Sequence, residues 1–578
     1  MLRGVPAAAP DDRLELDAAF ELVEGIRRAC RIGLLLDLAG GVPDAELDAA
    51  QGGSWPAARR LPAELVRQVL LETDLHPDPR GLLVRGAVLT GVLDLDAVEL
   101  PCRLGFLRCH FEQAPTIRDA SIANLGLLAC NLPGLSLDRA RVDGGAFFGQ
   151  LTTTGQVLAP GVHIRGSLDL TGATLTNPDG TALNLDGAQI GGDADCYQLT
   201  ATGQVRAPGA HIRGQLDLRG ATLTNPDGTA LNLDNTQIDG GAFCYQLTAT
   251  GQVRASGAHV SGSLDLRGTT LTNPDGTALN LVDAQIDGGA FCYQLTATGQ
   301  VSAPGAHISG QLDLRGATLT NPDGRALNLV RARVDLLIFD NALAVRGTLY
   351  LPRAEIGTLV TGAEPPRPLV AAGWRVEDLI GGLRTDRKAA ARWLASARQF
   401  VPQPWHELAQ VYDRNGQPAD ARFLRLSAAH KTTRQAPWWS QPPRWGYGLL
   451  VGYGYLPLLA GAWLLAAILG TFLITSTQAN SFLPSNPTAL QSALPKTPAA
   501  SSVTGATPCN ALRGSYPCLR PLLYSLDVVL PPTVSTGQST AWRPTKDWIA
   551  YTLTGLKAFG WLLTALLLAG VTGLLRKT

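Results

Sequence analysis

A 48-residue segment, written three times almost verbatim and then begun again, dominates this chain from His163 to Val330. Its landmarks return at His163, His211, His259 and His307, with Cys196, Cys244 and Cys292 between them. A fixed period of this length marks a repeat architecture, whose units bury their apolar faces only against neighbouring units. Inside the unit the text divides into five-residue steps. Each step has an apolar or small residue at its first and third places and a polar one at its second, as in Leu168-Asp169-Leu170 and Ala173-Thr174-Leu175. In an extended step alternate side chains face opposite ways, so Leu168 and Leu170 point inward and Asp169 outward. Gly172, Gly187 and Gly209 supply the permissive backbone for corners. Four steps with spare corner residues close a coil of roughly 22 residues, and coils stack at ~4.8 Å. The 48-residue unit is then two coils plus an insertion at Asn177-Pro178-Asp179-Gly180.

The rhythm starts at about Leu82 and continues to about Leu359, which makes roughly a dozen coils of β-solenoid over 82–360. Steps such as ATLTN and LNLDG resemble the pentapeptide-repeat proteins, although the added corner residues depart from a strict five-residue rule. An open solenoid end exposes an apolar disc and unpaired strand edges, so both ends need covers. Residues 1–81 read as a helical N-terminal cap, with Leu61–Glu72 directly over the first coil. After Gly362-Ala363-Glu364-Pro365-Pro366, a linker, residues 361–440 read as a helical C-terminal cap. Its second helical piece resembles one tetratricopeptide unit through Trp405, Leu408, Ala409, Tyr412, Ala421 and Ala428, with Arg425 where that motif wants an aromatic.

The last section, 441–578, changes solvent. Leu456–Ile474 and Ala558–Leu575 are uncharged stretches of 19 and 18 residues, long enough to cross ~30 Å of hydrocarbon. Lys431, Arg434 and Arg444 precede the first, and Arg576 and Lys577 follow the second. The positive-inside rule then places both termini and the solenoid in the cytoplasm, with a loop at 475–547 outside. The apolar run near its end, LRPLLYSLDVVLPP, is too short to span and is expected on the outer membrane face. Cys509 and Cys518 flank CNALRGSYPC in this loop, on the oxidising side where disulfides persist, and are expected to pair.

The repeated columns invite chemical readings. The four histidines lie two coils apart, roughly 9–10 Å by the strand spacing. Zinc holds nitrogen ligands at about 2 Å, so no two of them share one ion. Cys196, Cys244 and Cys292 occupy inward places, where cysteine acts as a small core hydrophobe. Asp169, Asp217, Asp265 and Asp313 form an outer ladder predicted to be exposed. From His163 to Val330 there are 15 Asp, 8 Arg and no Glu or Lys, a net of 8 − 15 = −7. The whole chain has formal charge zero, which gives no sign of a nucleic-acid partner. The Asn-Pro-Asp-Gly insertions at 177–180, 225–228, 273–276 and 321–324 are turn chemistry lined up along one edge.

The order of cap, solenoid, helices and two spans, with Pro402-Gln403-Pro404-Trp405 and Ala419-Asp420-Ala421-Arg422, resembles actinobacterial membrane proteins often labelled membrane-associated oxidoreductase. That label implies redox chemistry. However, no G-x-G-x-x-G opens a helix after a strand, Gly446-Tyr447-Gly448 falls at a membrane boundary, and there is no C-x-x-C pair. No catalytic, cofactor-binding or metal-binding residue stands out, and no cofactor is expected. The reading is a mainly β protein: a parallel, pentapeptide-repeat-like β-solenoid with helical caps and a two-helix transmembrane hairpin. It is expected at the plasma membrane, with the lipid bilayer and an unidentified protein as partners, as a non-catalytic scaffold or binding surface. A membrane-associated oxidoreductase and a DNA-mimicking pentapeptide-repeat protein stand as alternatives.

Overall fold

The computed structural model describes residues 10–486, 516–532 and 535–572, without the side chains of 10–20, 570 and 571. It contains two compact units, Met1–Gln417 and Pro418–Thr578.

The first unit is a parallel β-solenoid of about 14 turns. Each coil has four short strands, shared between two parallel sheets, as at His163–Ile164, Leu168–Asp169 and the two halves of Thr174–Asn184. Register fixes the coil lengths. Leu168 pairs with Ala194 and Ala194 with Leu216, so the numbering advances by 26 (194 − 168) over one coil and by 22 (216 − 194) over the next. Together they make the 48-residue unit. The longer coil contains Asn177-Pro178-Asp179-Gly180, which bulges out where the register jumps between Thr176 and Thr181. Asn177 closes the bulge by donating from Nδ2 to the Thr181 carbonyl at 2.8 Å.

The interior is a stack of aliphatic side chains. Leu168, Leu170, Ala173, Leu175, Ala182 and Leu183 are all at most 2% exposed. Corners are less dependent on glycine than the sequence suggests. Gly172 turns with φ +65°, but the same corner one coil later uses Gln198 at +55°, and the other corner uses Asn235 and Asp283. Polar side chains of this kind tolerate the left-handed region at modest cost.

The solenoid extends beyond 82–360 at both ends. Leu35–Asp37 pairs in parallel with Leu83–Arg85, and Arg60–Pro62 with Val88–Thr90. At the other end Glu355–Thr361 pairs with Arg375–Gly381. The stretch read as a linker therefore lies between paired strands of the last coil. These outer coils lack the repeated text, so only hydrogen bonding identifies them.

Helices close both ends. Helix α1 (Pro10–Ile32) and α2 (Ala63–Leu70) cover the first coil, with Ile26, Cys30, Val66 and Val69 buried. Arg67 donates to the Asp94 carbonyl at 2.7 Å. The far end carries α3 (Gly382–Thr385), α4 (Arg387–Leu394) and α5 (Gln403–Arg414). Helix α5 satisfies the open edge of the last coil with its side chains. Gln403 bonds Gly373 N–H and the Trp374 carbonyl, Glu407 accepts from Val376 N–H, and Arg414 donates to the Val376 and Glu377 carbonyls. Trp374 and Trp393 pack at 5.8 Å between ring centroids, and Tyr412 bonds the Leu383 carbonyl. An unsatisfied strand edge templates aggregation, and this arrangement removes it.

The second unit is helical: α6 (Pro418–Gln435), α7 (Gln441–Val451), α8 (Leu458–Thr477), α9 (Pro521–Val529), α10 (Gln538–Ala541) and α11 (Asp547–Val571). The two tetratricopeptide-like helices, α5 and α6, thus belong to different units. Helices α8 and α11 are long and apolar enough to cross a membrane, over Leu458–Thr477 and Asp547–Ala569. They bury only 22% and 17% of those windows, whereas an apolar core helix is buried all round. Helix α11 starts at Asp547 rather than near Ala558, so it takes in Lys557. Helix α9, expected on an outer membrane face, instead packs between the two. Tyr524, Val528 and Val529 share a core with Ala467 of α8 and Ile549 and Leu553 of α11.

Candidate functional site

Three outward columns run along the solenoid, and in the first two several polar groups are engaged within the fold. In the first, His163 pairs with Gln189 and Gln189 with His211, so histidines recur every second coil. His211 and His259 each meet a carboxylate, Asp239 and Asp287, at 2.9 Å. The His211 imidazole holds the Asp239 carboxyl below its ordinary value, aided by Gln237. Among the described residues no three His, Cys, Asp or Glu side chains gather as a metal site.

The second column corrects the exposed aspartate ladder. Asp217, Asp265 and Asp313 are only 3%, 4% and 2% exposed, while Asp169 is half-buried. The cause lies two residues on. Arg219, Arg267 and Arg315 fold back over the carboxylates, and their backbone N–H groups donate to Oδ1 at 3.0–3.1 Å. Asp169 is followed by Thr171 instead and has no such cover. On neighbouring coils Phe243 and Phe291 stand beside these carboxylates in register. For Asp313, burial alone would raise the carboxyl pKa, but bonds from Arg315 outweigh it and the net direction is down. An approaching partner meets guanidinium-capped pairs, flanked by exposed Tyr197 and Tyr293.

The cysteines below this column are sealed. Cys196, Cys244 and Cys292 are buried, and burial pushes each thiol up to about 12. Such thiols are unreactive at neutral pH. Cys109 and Cys130 are likewise free and buried on adjacent coils. Of the loop pair, Cys518 is disulfide-bonded; Cys509 lies outside the described residues.

The third column is built of threonines. Thr174, Thr200, Thr222, Thr248, Thr270, Thr296 and Thr318 stack in register, and so do Thr176, Thr202, Thr224, Thr250, Thr272, Thr298 and Thr320. Thr152 and Thr154 precede them. Between the two ranks the chain turns inward at Leu175, Ala201, Leu223, Ala249, Leu271, Ala297 and Leu319, each wholly buried. None of these threonine hydroxyls has a hydrogen-bond partner among the described residues. The result is an uncharged lattice of hydroxyls and methyls, spaced ~4.8 Å between coils and ~7 Å along the strand. Its border is the row of exposed Pro-Asp-Gly bulges at 178–180, 226–228 and 274–276.

Sequence reasoning singled out the bulges, histidines and aspartates but not this face. Its signal is plain in hindsight: T-L-T from Thr174 gives way to T-A-T from Thr200, and T-L-T returns from Thr222. Comparison with known proteins adds no identity, since no family model, curated protein or solved structure matches the chain.

Proposed function

We propose that this protein is a membrane-tethered, non-catalytic β-solenoid whose threonine face is a binding surface for a protein partner. The observation that carries the reading is the contrast between columns. The buried Asp217, Asp265 and Asp313, the arginines over them and the core cysteines are consumed within the fold, whereas the two stacked threonine ranks present hydroxyls with no internal partner among the described residues. Hydroxyl groups without internal bonds are available to a ligand at no cost of breaking contacts. Helices α8 and α11 supply the tether, at the plasma membrane, and flanking charge puts the solenoid in the cytoplasm.

Two measurements test this. Alkaline carbonate should leave the full chain in the membrane fraction, and release into the supernatant would defeat the tether. Intact cells treated with a membrane-impermeant thiol reagent should label Cys509 and Cys518 only after reduction. Labelling only after lysis would reverse the orientation. For the face, in-cell crosslinking from a photoreactive residue at Thr248 should give a discrete adduct that Thr222→Lys and Thr270→Lys abolish. An adduct that survives both changes would move the binding surface elsewhere.

A further inference from the structure

The chain enters α8 through an elbow rather than along a straight helix. Helix α7 stops at Val451, and Gly452, Tyr453 and Gly454 all turn with positive φ, at +57°, +55° and +88°. Consecutive left-handed residues cannot continue a right-handed helix, so α7 leaves the axis of α8. Packing fixes where it goes. Val451, Ala460 of α8 and Leu563 of α11 are wholly buried together, with Tyr447 and Leu450 against them. Trp463 Nε1 donates to the Leu449 carbonyl at 3.1 Å. A Cβ added at Gly448 would lie 2.5 Å from the Tyr453 ring, so glycine lets that ring rest on α7. His430 of α6 meets the same ring edge-on at 5.1 Å and stacks on Trp445 at 5.7 Å. The end of α6, α7 and the start of α8 thus form one packed elbow.

Its outer face is apolar. Pro442, Trp445 and Leu449, at i, i+3 and i+7 of α7, are exposed, and Trp438 and Trp439 just before them are 79% and 67% exposed. Cations flank this face. Arg434 and Arg444 are exposed, and Lys431 lies close enough to Arg434 that burial and then this like charge push its ammonium down. With Arg422 and Arg425 further up α6, five basic residues stand between 421 and 457, and the sequence has no Asp or Glu between Asp420 and Asp527.

Resting on the tethered reading, which puts α7 at the inner end of α8, we propose that this elbow is a binding site for anionic phospholipid, with the indoles and Leu449 in the acyl border and Arg434, Arg444 and Lys431 on the phosphate groups. Large exposed apolar side chains need a cover, and this face is continuous with a helix long and apolar enough to cross a membrane. Tryptophan suits a boundary that is apolar on one side and wet on the other. A helix with an apolar face and basic residues beside it lies in the membrane interface. Basic clusters just inside a span attract acidic headgroups in preference to zwitterionic ones.

The test uses the full chain in detergent with a pyrene-labelled phosphatidylglycerol, read by energy transfer from tryptophan. Unlabelled phosphatidylglycerol should displace the probe at about tenfold lower concentration than phosphatidylcholine. Changing Arg434→Glu and Arg444→Glu together should bring the two lipids to parity, whereas Arg434→Lys with Arg444→Lys should keep the preference. Arg543→Glu with Lys546→Glu, at the outer ends of the spans, should keep it too. Equal displacement by the two lipids, or a preference that survives the glutamate pair, would overturn the site. Loss of the preference on changing positions 543 and 546 would move the site away from the elbow. Displacement by glycerol phosphate as readily as by phosphatidylglycerol would make the ligand a soluble phosphate and overturn the lipid assignment. Protein released by alkaline carbonate would sink the tether and this inference together, whereas integral protein with no lipid preference would sink this inference alone.

Discussion

Replacing Gly203 by alanine tests how the insertion is accommodated. Gly203 sits on the shorter coil next to the Asn177–Gly180 bulge, with φ +108°. A Cβ there would lie 2.1 Å from the Asn177 carbonyl oxygen and 2.9 Å from that of Gly180. Both are backbone atoms of a bulge pinned by the Asn177–Thr181 hydrogen bond, so neither can swing away. The unfavourable φ costs about 1–2 kcal/mol, and overpacking adds about 1–3 kcal/mol. Their combination is expected to reach about 3 kcal/mol. Gly187→Ala is the control, because its φ is +61° but nothing lies within 4 Å of its added Cβ. That change costs about 1 kcal/mol, from the left-handed backbone alone. Because each coil of a solenoid touches mainly its neighbours, the damage stays local and a whole-molecule melt would understate it. Hydrogen exchange on the full chain reads it directly. Amides of Thr200–Arg206 should exchange on the order of a hundredfold faster in Gly203→Ala, and roughly fivefold faster near position 187 in the control. Equal acceleration in the two variants would refute the claim that the bulge backbone is fixed against Gly203.

Three further outcomes are expected. Asp217→Ala should destabilise its coil by about 2–3 kcal/mol more than Asp169→Ala, since only Asp217 is buried under an arginine; local hydrogen exchange at Cys196 and Leu218 checks this, and equal effects would restore an exposed ladder. Deleting 211–258 should leave a folded, shorter solenoid by circular dichroism, whereas deleting half of that unit, 211–234, should not, because its two coils differ in length. Asp313 has a depressed folded-state pKa, so its pairing stabilises the fold above the unfolded value near 3.8 and is lost as pH falls through the lower folded value. Acid unfolding followed by hydrogen exchange around Leu312–Leu314 should therefore begin at higher pH in Arg315→Gln.

The coil was legible because duplication printed it three times. Apolar residues two apart, followed by a turn, name the strands, and a 48-residue period leaves room for two coils and one insertion. The unequal division of that period needed hydrogen-bond register, which no single strand reveals. The first and last coils escaped notice for a related reason. Leu35–Asp37 and Arg375–Gly381 are ordinary short apolar stretches until a neighbouring strand is placed beside them. Asp217 was misjudged because alternation predicts only the direction of a side chain. Its burial depends on Arg219 across the corner and Phe243 one coil away. The threonine face has the same lesson reversed: T-x-T is visible in the text, but only stacking turns isolated pairs into a lattice. The packing of helix α9 between α8 and α11 depends on Ala467 and Gly560, residues far from it in sequence, so no local pattern announces it.

The two-coil unit also has a consequence for how such a protein changes over generations. Because near-identical segments encode it, unequal recombination adds or removes whole units, and each event keeps the alternation of long and short coils in phase. Both end covers are encoded outside the repeated text, so they are carried along unaltered. The solenoid thus behaves as an adjustable ruler with ~10 Å graduations, whose length can drift while every graduation carries the same marks.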